Sequence, residues 1–263
     1  MKTSLRSLLA SLALTTSLVA AHGALAGDLK IGVSAGPYGE ILEFTAKLAA
    51  KEGLKAEVIE FTDWTMPNAA LQAGDIDANN FQHQPFLNNE ISKRGYEIVP
   101  VAKSIVVPMG VYAKSAKSLA DLKDGASVSI PNDPTNGARA LFLLAKAGLI
   151  ELKPEAGIGA TAADIAKNPK NIKLVELDAA QLPRSLDDVD ASVITLNYAV
   201  LAGLKPAQSL LLEDDQSKWH LVWAVRKDRA EDKDIKRFIE LYRSAEVRNF
   251  INDKFEGTII PTW

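Results

Sequence analysis

From residue 29 onward, short apolar runs alternate with stretches whose apolar residues fall at helical spacing. Residues 29–33 (Leu-Lys-Ile-Gly-Val) read as a strand, and 40–51 as a helix with Ile41, Phe44 and Leu48 on one face and Gly53 as its stop. The pattern predicts a further strand at 58–61, a short helix at 67–73 ended by Gly74, and a strand at 76–78. A helix at 86–94 ends at Gly95, and extended segments follow at 98–102 and 105–113. Pro108 lies inside the second of these. Proline cannot donate to a ladder, so 106–111 reads as a segment crossing between two lobes.

The rhythm then restarts with a strand at 127–130, a helix at 136–147 closed by Gly148, a strand at 172–177, a helix at 183–188 and a strand at 191–194. An extended segment at 219–226 leads into helices at 232–242 and 245–255. Ile235, Phe238, Ile239 and Tyr242 make a core-facing stripe on the first of these helices. Repeated strand–helix–strand units predict an α/β protein with parallel sheets in two lobes. The expected division is 27–108 with 205–263 as a discontinuous first lobe, and 109–204 as the second. One internal echo supports two related halves: 74–78 (Gly-Asp-Ile-Asp-Ala) and 187–191 (Asp-Asp-Val-Asp-Ala) each follow a short helix and precede a polar run. Such runs at the carboxyl ends of parallel strands face the crevice where ligands bind.

Residues 1–26 carry Lys2 and Arg6, an apolar stretch, and the small-residue exit Ala24-Leu25-Ala26, the layout of a cleavable export signal. Removing them takes the net charge from −3 to −5. A mildly acidic chain without a Lys/Arg-rich run lacks the footprint of phosphate-backbone binding, so nucleic acid is not an expected partner. No cysteine is present, which excludes disulfides, thiolate metal sites and a cysteine nucleophile. Cysteine is also the residue that would bear a lipid, so we expect a soluble, unanchored protein of the periplasm. No cofactor or metal site is expected.

Catalytic signatures are missing: there is no Gly-x-Ser-x-Gly elbow, no His-Glu-x-x-His and no phosphate-cradling glycine loop, and past residue 26 only His83 and His220 remain. A hydrolase or isomerase built on His83 and a carboxylate is the alternative class. A sensory protein that presents ligand to a receptor is another. Two segments carry candidate binding chemistry, 79–86 (Asn-Asn-Phe-Gln-His-Gln-Pro-Phe) and 131–139 (Pro-Asn-Asp-Pro-Thr-Asn-Gly-Ala-Arg). In the second, Asp133, Thr135 or Asn136 can cap a helix whose first turn carries Arg139. Free N–H groups and a planar guanidinium fork at one helix start suit an anionic group. Arg139 equally fits a surface cation paired with a nearby acid. In the first segment, Phe81 with Trp64 can wall an apolar slot and His83 can bond a ligand, or all three are structural. Burying an aliphatic or thioether chain in such a slot contributes about 1.5–3 kcal/mol.

Over essentially the whole length after the leader, the chain closely resembles methionine-binding proteins of the NlpA/MetQ type, the substrate-capturing subunits of methionine ABC importers. The stretches carrying the resemblance are 70–79 (Ala-Leu-Gln-Ala-Gly-Asp-Ile-Asp-Ala-Asn), Phe81-Gln82-His83, 131–136 (Pro-Asn-Asp-Pro-Thr-Asn) and 181–188 (Gln-Leu-Pro-Arg-Ser-Leu-Asp-Asp). The resemblance implies a two-lobed, type II periplasmic-binding-protein-like α/β fold that closes on an amino acid in the inter-lobe cleft. It also implies a monomer that delivers its load to an inner-membrane ABC permease and its ATPase. By position, it implies that Arg139 holds the ligand carboxylate with Asn136 beside it, and that Trp64, Phe81 and His83 line the side-chain slot. Trp64 stands where the family usually has tyrosine. Thr195 and Leu221 stand where it commonly has asparagines near the ligand amino group, with Asn197 or His220 placed to compensate; this leaves the choice of ligand open. The family's usual lipid-bearing cysteine is absent.

Overall fold

The computed structural model describes residues 28–214 and 218–263; the proposed leader, 1–26, lies outside them. The first half runs β1 (Leu29–Ser34), α1 (Pro37–Lys51), β2 (Ala56–Phe61), α2 (Met66–Ala73), β3 (Ala78–His83), α3 (Gln84–Arg94) and β4 (Ile98–Lys103). After β5 (Ile105–Val106) the chain crosses to β6 (Met109–Tyr112), β7 (Ser127–Pro131), α4 (Pro134–Lys146), the paired β8 (Glu151–Leu152) and β9 (Ile165–Lys167), and β10 (Lys173–Leu177). Then come α5 (Leu182–Ser185), β11 (Ala191–Thr195), α6 (Leu196–Leu201), β12 (Leu211–Leu212), β13 (Leu221–Arg226), α7 (Lys233–Tyr242), α8 (Ala245–Phe255) and β14 (Ile260–Pro261).

Among the described residues these strands build two five-stranded sheets, ordered β2-β1-β3-β13-β4 and β10-β7-β11-β6-β12. In the first, β1 pairs in parallel with β2 and β3, and β13 lies antiparallel between β3 and β4; in the second, β7 pairs in parallel with β10 and β11, and β6 lies antiparallel between β11 and β12. This is the two-lobed α/β architecture expected. The C-terminal helices do return to the first sheet: Ile235, Phe238, Tyr242, Val247 and Ile251 share one core with Leu29, Ile31, Ile41 and Leu42.

Three expectations are corrected. Residues 205–212 do not all accompany the first sheet, because Leu211–Leu212 pairs with β6 of the second; a two-residue strand leaves no periodicity to read. Met109–Tyr112 is an interior strand, flanked by β11 and β12, so the crossing is confined to about residues 104–108. Pro108 is accommodated because it precedes β6, and its carbonyl accepts from Leu196 N–H at 3.0 Å. The third concerns β3, placed by pattern at 76–78 but formed by 78–83, so the Asn-Asn-Phe-Gln-His run is itself a buried central strand.

Two of its amides, Asn79 and Gln82, are buried in a network with Asn68. Asn68 on α2 and Gln82 exchange two bonds of 2.7 Å, and Asn79 bonds both at 3.0 Å. Such a network offsets the cost of removing amides from water.

The echo between 74–78 and 187–191 is structural. Asp77 accepts from Lys30 N–H, at the start of β1, and Asp190 accepts from Ser127 N–H, at the start of β7, each at 2.8 Å. Each aspartate ties a central strand to its parallel neighbour. The strands they precede end at His83 and Thr195, and these ends bring the two lobes together.

Candidate functional site

A cavity of about 330 Å³ lies between the sheets, lined by Tyr38, Trp64, Phe81, Gln82, His83, Phe86, Val107, Asn136, Arg139, Thr195 and Leu221. It sits outside the carboxyl ends of β3 and β11, where open α/β sheets bind ligands. Trp64, Phe81, His83, Asn136, Arg139 and Thr195 are thus brought together. Asn197 is not: it is buried on α6 and does not line the cavity, and His220 does not line it either.

The backbone explains how the rings arrive. β13 pairs Val222 with Gln82 and Trp223 with Asn80, passing over Phe81, so a bulge falls at that residue. Bulges re-aim side chains beside sites, and this one gives Phe81 to the cavity. Phe86, on the first turn of α3, meets Phe81 and Trp64 edge-on, with centroids 6.0 and 6.4 Å apart. Tyr38 enters because Gly36, at φ 101°, turns the chain sharply from β1 into α1. Gly137 lets the first turn of α4 approach β7: a Cβ there would stand 3.0 Å from the Pro131 carbonyl oxygen.

Helix α4 begins as the sequence suggests, with Asp133 as its cap, accepting from Asn136 N–H at 2.9 Å. Burial pushes the Asp133 carboxyl up despite its bonds from Asn136 and Thr135. His83 is committed at both nitrogens. Nδ1 accepts from Phe86 N–H at 3.1 Å, capping α3, so the neutral ring carries its proton on Nε2 and donates to Asn136 Oδ1 at 3.0 Å. Burial first, and the Arg139 charge second, push its pKa down to about 3. His83 is therefore a neutral tie between the lobes rather than a free ligand donor. A second tie runs from Tyr198 Oη to the Thr62 carbonyl at 3.2 Å.

Arg139 is buried and faces the ring-lined cavity, but its fork is not open. Nε donates to Glu213 Oε1 at 2.9 Å, Nη2 donates to Glu213 Oε2, and Nη2 also donates to the Val107 carbonyl at 2.8 Å. Glu213 is fixed in turn by Met109 N–H at 2.9 Å. Bidentate capture of a ligand carboxylate by the whole fork is thus corrected to a narrower offer. Only Nη1 is without a partner among the described residues. Trp219 covers the guanidinium, its ring centroid 5.7 Å from Cζ. Arg139 is paired with an acid, as one of its two readings had it, but it is buried and not at the surface.

Sequence reasoning missed Tyr38 and Glu213. Tyr38 could have been found, because it follows the carboxyl end of β1, the same crevice edge that drew notice to His83. Glu213 had no such signal; it reaches Arg139 only through the pairing of β12 with β6.

Two lobes around a cavity that mixes rings with a few convergent donors have the build of a solute-binding protein. Residues 29–263 match the NlpA lipoprotein family, and the chain belongs to it. Outer membrane lipoprotein 3 of Mannheimia haemolytica is 43% identical over 90% of this chain and 91% of its own length. The D-methionine-binding lipoprotein MetQ of Salmonella typhimurium is 44% identical over 89% and 88%. A solved nutrient binding protein from Burkholderia cenocepacia, bound to methionine, superposes with a TM-score of 0.86 at 46% identity, covering 89% of this chain and all of its own. These lipoprotein names overturn the expectation of an unanchored protein. It rested on the lack of one residue type, which speaks only of thioether attachment within this chain. No helix among the described residues is long and apolar enough to cross a membrane.

Proposed function

We propose that this chain is the substrate-capturing subunit of an ABC importer on the periplasmic side, reached through the export signal at 1–26. Its ligand is methionine or a close structural relative, held between 27–108 with most of 205–263 on one side and 109–204 on the other. The observation that carries this reading is Arg139 Nη1, an unpaired cationic donor in a buried, ring-lined cavity between two lobes. In this reading Nη1 meets the ligand's carboxylate, and Trp64, Phe81 and Phe86 enclose its chain. The chain acts as a monomer. The crossing at 104–108 serves as a hinge, and breaking the His83–Asn136 tie opens the cavity for release to the permease and its ATPase.

Ligand that binds only the folded state raises the melting temperature by mass action. Purified protein should therefore show a thermal shift with at least one methionine-sized carboxylate from a panel of amino acids and their derivatives. Arg139→Gln should abolish the shift. A panel without any shift would overturn the reading.

A further inference from the structure

Each amide and imidazole acceptor among the cavity's side chains already receives one hydrogen bond, which leaves two hydroxyls as the acceptors not yet engaged. Asn136 Oδ1 receives His83 Nε2–H, Gln82 Oε1 receives Asn68 Nδ2–H, and His83 Nδ1 receives Phe86 N–H. Among main-chain carbonyls, that of Val107 receives Arg139 Nη2–H, and that of Leu221 receives Ser104 N–H at 2.9 Å. None of the lining residues is acidic. The neighbouring carboxylates, Glu213 and Asp133, are engaged by Arg139 with Met109 N–H, and by Asn136 with Thr135.

The groups left over are donors or hydroxyls. Arg139 Nη1 brings two N–H groups, and Trp64 Nε1 is a buried donor without a partner. Thr195 Oγ1, in a residue 4% exposed, is likewise buried and unpartnered, and Tyr38 adds a phenol. Opposite them Leu221 gives the wall an aliphatic face, in register with His83. A cavity rich in donors and poor in acceptors is complementary to a ligand with the reverse composition.

We propose that the preferred ligand is a methionine-sized carboxylate whose α-position carries an oxo or hydroxyl oxygen in place of an ammonium. This rests on the capture reading above and specifies its substrate class. The carboxylate accepts from Arg139 Nη1, and the α-oxygen accepts from the Thr195 hydroxyl. An ammonium would bring three N–H groups to a place whose unengaged acceptors are two hydroxyl oxygens, with no acidic side chain in the lining to meet its charge. The isosteric change Leu221→Asn supplies the missing amide acceptor.

The test is calorimetric titration of the wild-type protein with L- and D-methionine and with the 2-oxo, 2-hydroxy and 2-deoxy (unsubstituted) analogues of the same chain. At least tenfold tighter binding of the oxo or hydroxy acid over both methionines is expected, with Leu221→Asn narrowing that ratio at least tenfold. Methionine binding as tightly as its analogues, or tighter, would overturn this inference and leave the capture reading standing. Failure of all five compounds to bind the folded wild-type protein would overturn both.

Discussion

The two lobes meet the same cavity with opposite chemistry. The first supplies rings and an aliphatic wall, Tyr38, Trp64, Phe81, Phe86 and Leu221, and its polar members Gln82 and His83 are bound to other side chains. The second supplies Asn136, Arg139 and Thr195, held by a helix start and by Glu213 just after β12. One wall excludes water and shapes the ligand; the other orients it. The division teaches that the charge in this site is positioned by its own acid before any ligand arrives, so the cation needs no ligand to be tolerated in a dry place.

The largest effect should come from splitting that ion pair. Arg139→Ala leaves Glu213 nearly buried and uncompensated, and should cost about 3–5 kcal/mol in urea unfolding besides abolishing ligand binding. Adding Glu213→Ala should recover part of the stability and none of the binding, which would separate the pair's structural role from its ligand role. On the other wall, Phe81→Ala should cost about 3 kcal/mol through cavity formation and weaken binding without altering its salt dependence.

The tie between the walls should respond to pH. Unfolded His83 takes up a proton near pH 6.5, whereas the folded ring resists it down to about 3. The unfolded state thus binds more protons in that window. Stability is full above pH 6.5 and falls as the pH drops, by about 2 kcal/mol between pH 7 and pH 5 at 1.36 kcal/mol per unit. His83→Gln should flatten that slope in paired denaturation curves. The smallest effect belongs to Thr195→Val: removing a buried, unpartnered hydroxyl should leave stability within about 1 kcal/mol of wild type or raise it, while binding weakens.

Much of this was legible in the chain. β1 and β7 follow from short apolar runs buried on both faces, and α1, α4 and the two C-terminal helices from apolar spacing and stop residues, because each helix hides one face and wets the other. β3 escaped because its buried residues include amides, and no period of apolar residues marks it. Arg139, Phe81, Trp64 and Asn136 could be named from local chemistry, and Thr195 from the family resemblance. The engagement of the arginine's fork could not, since Glu213 lies 74 residues away and arrives through a two-residue strand. Asn197 was drawn in by its nearness to Thr195 in sequence, but β11 ends between them and α6 turns it away from the cavity.

The central claim is that Arg139 presents one free nitrogen to a small carboxylate enclosed by the rings of the opposite lobe. A crystal structure of the protein with its tightest-binding compound tests it most directly. The account predicts a carboxylate oxygen within 2.7–3.1 Å of Nη1, roughly the range for such bonds, with the Arg139–Glu213 pair intact and the ligand chain against Phe81. A ligand bound outside the cavity, or one that turns its carboxylate away from Arg139, would contradict it.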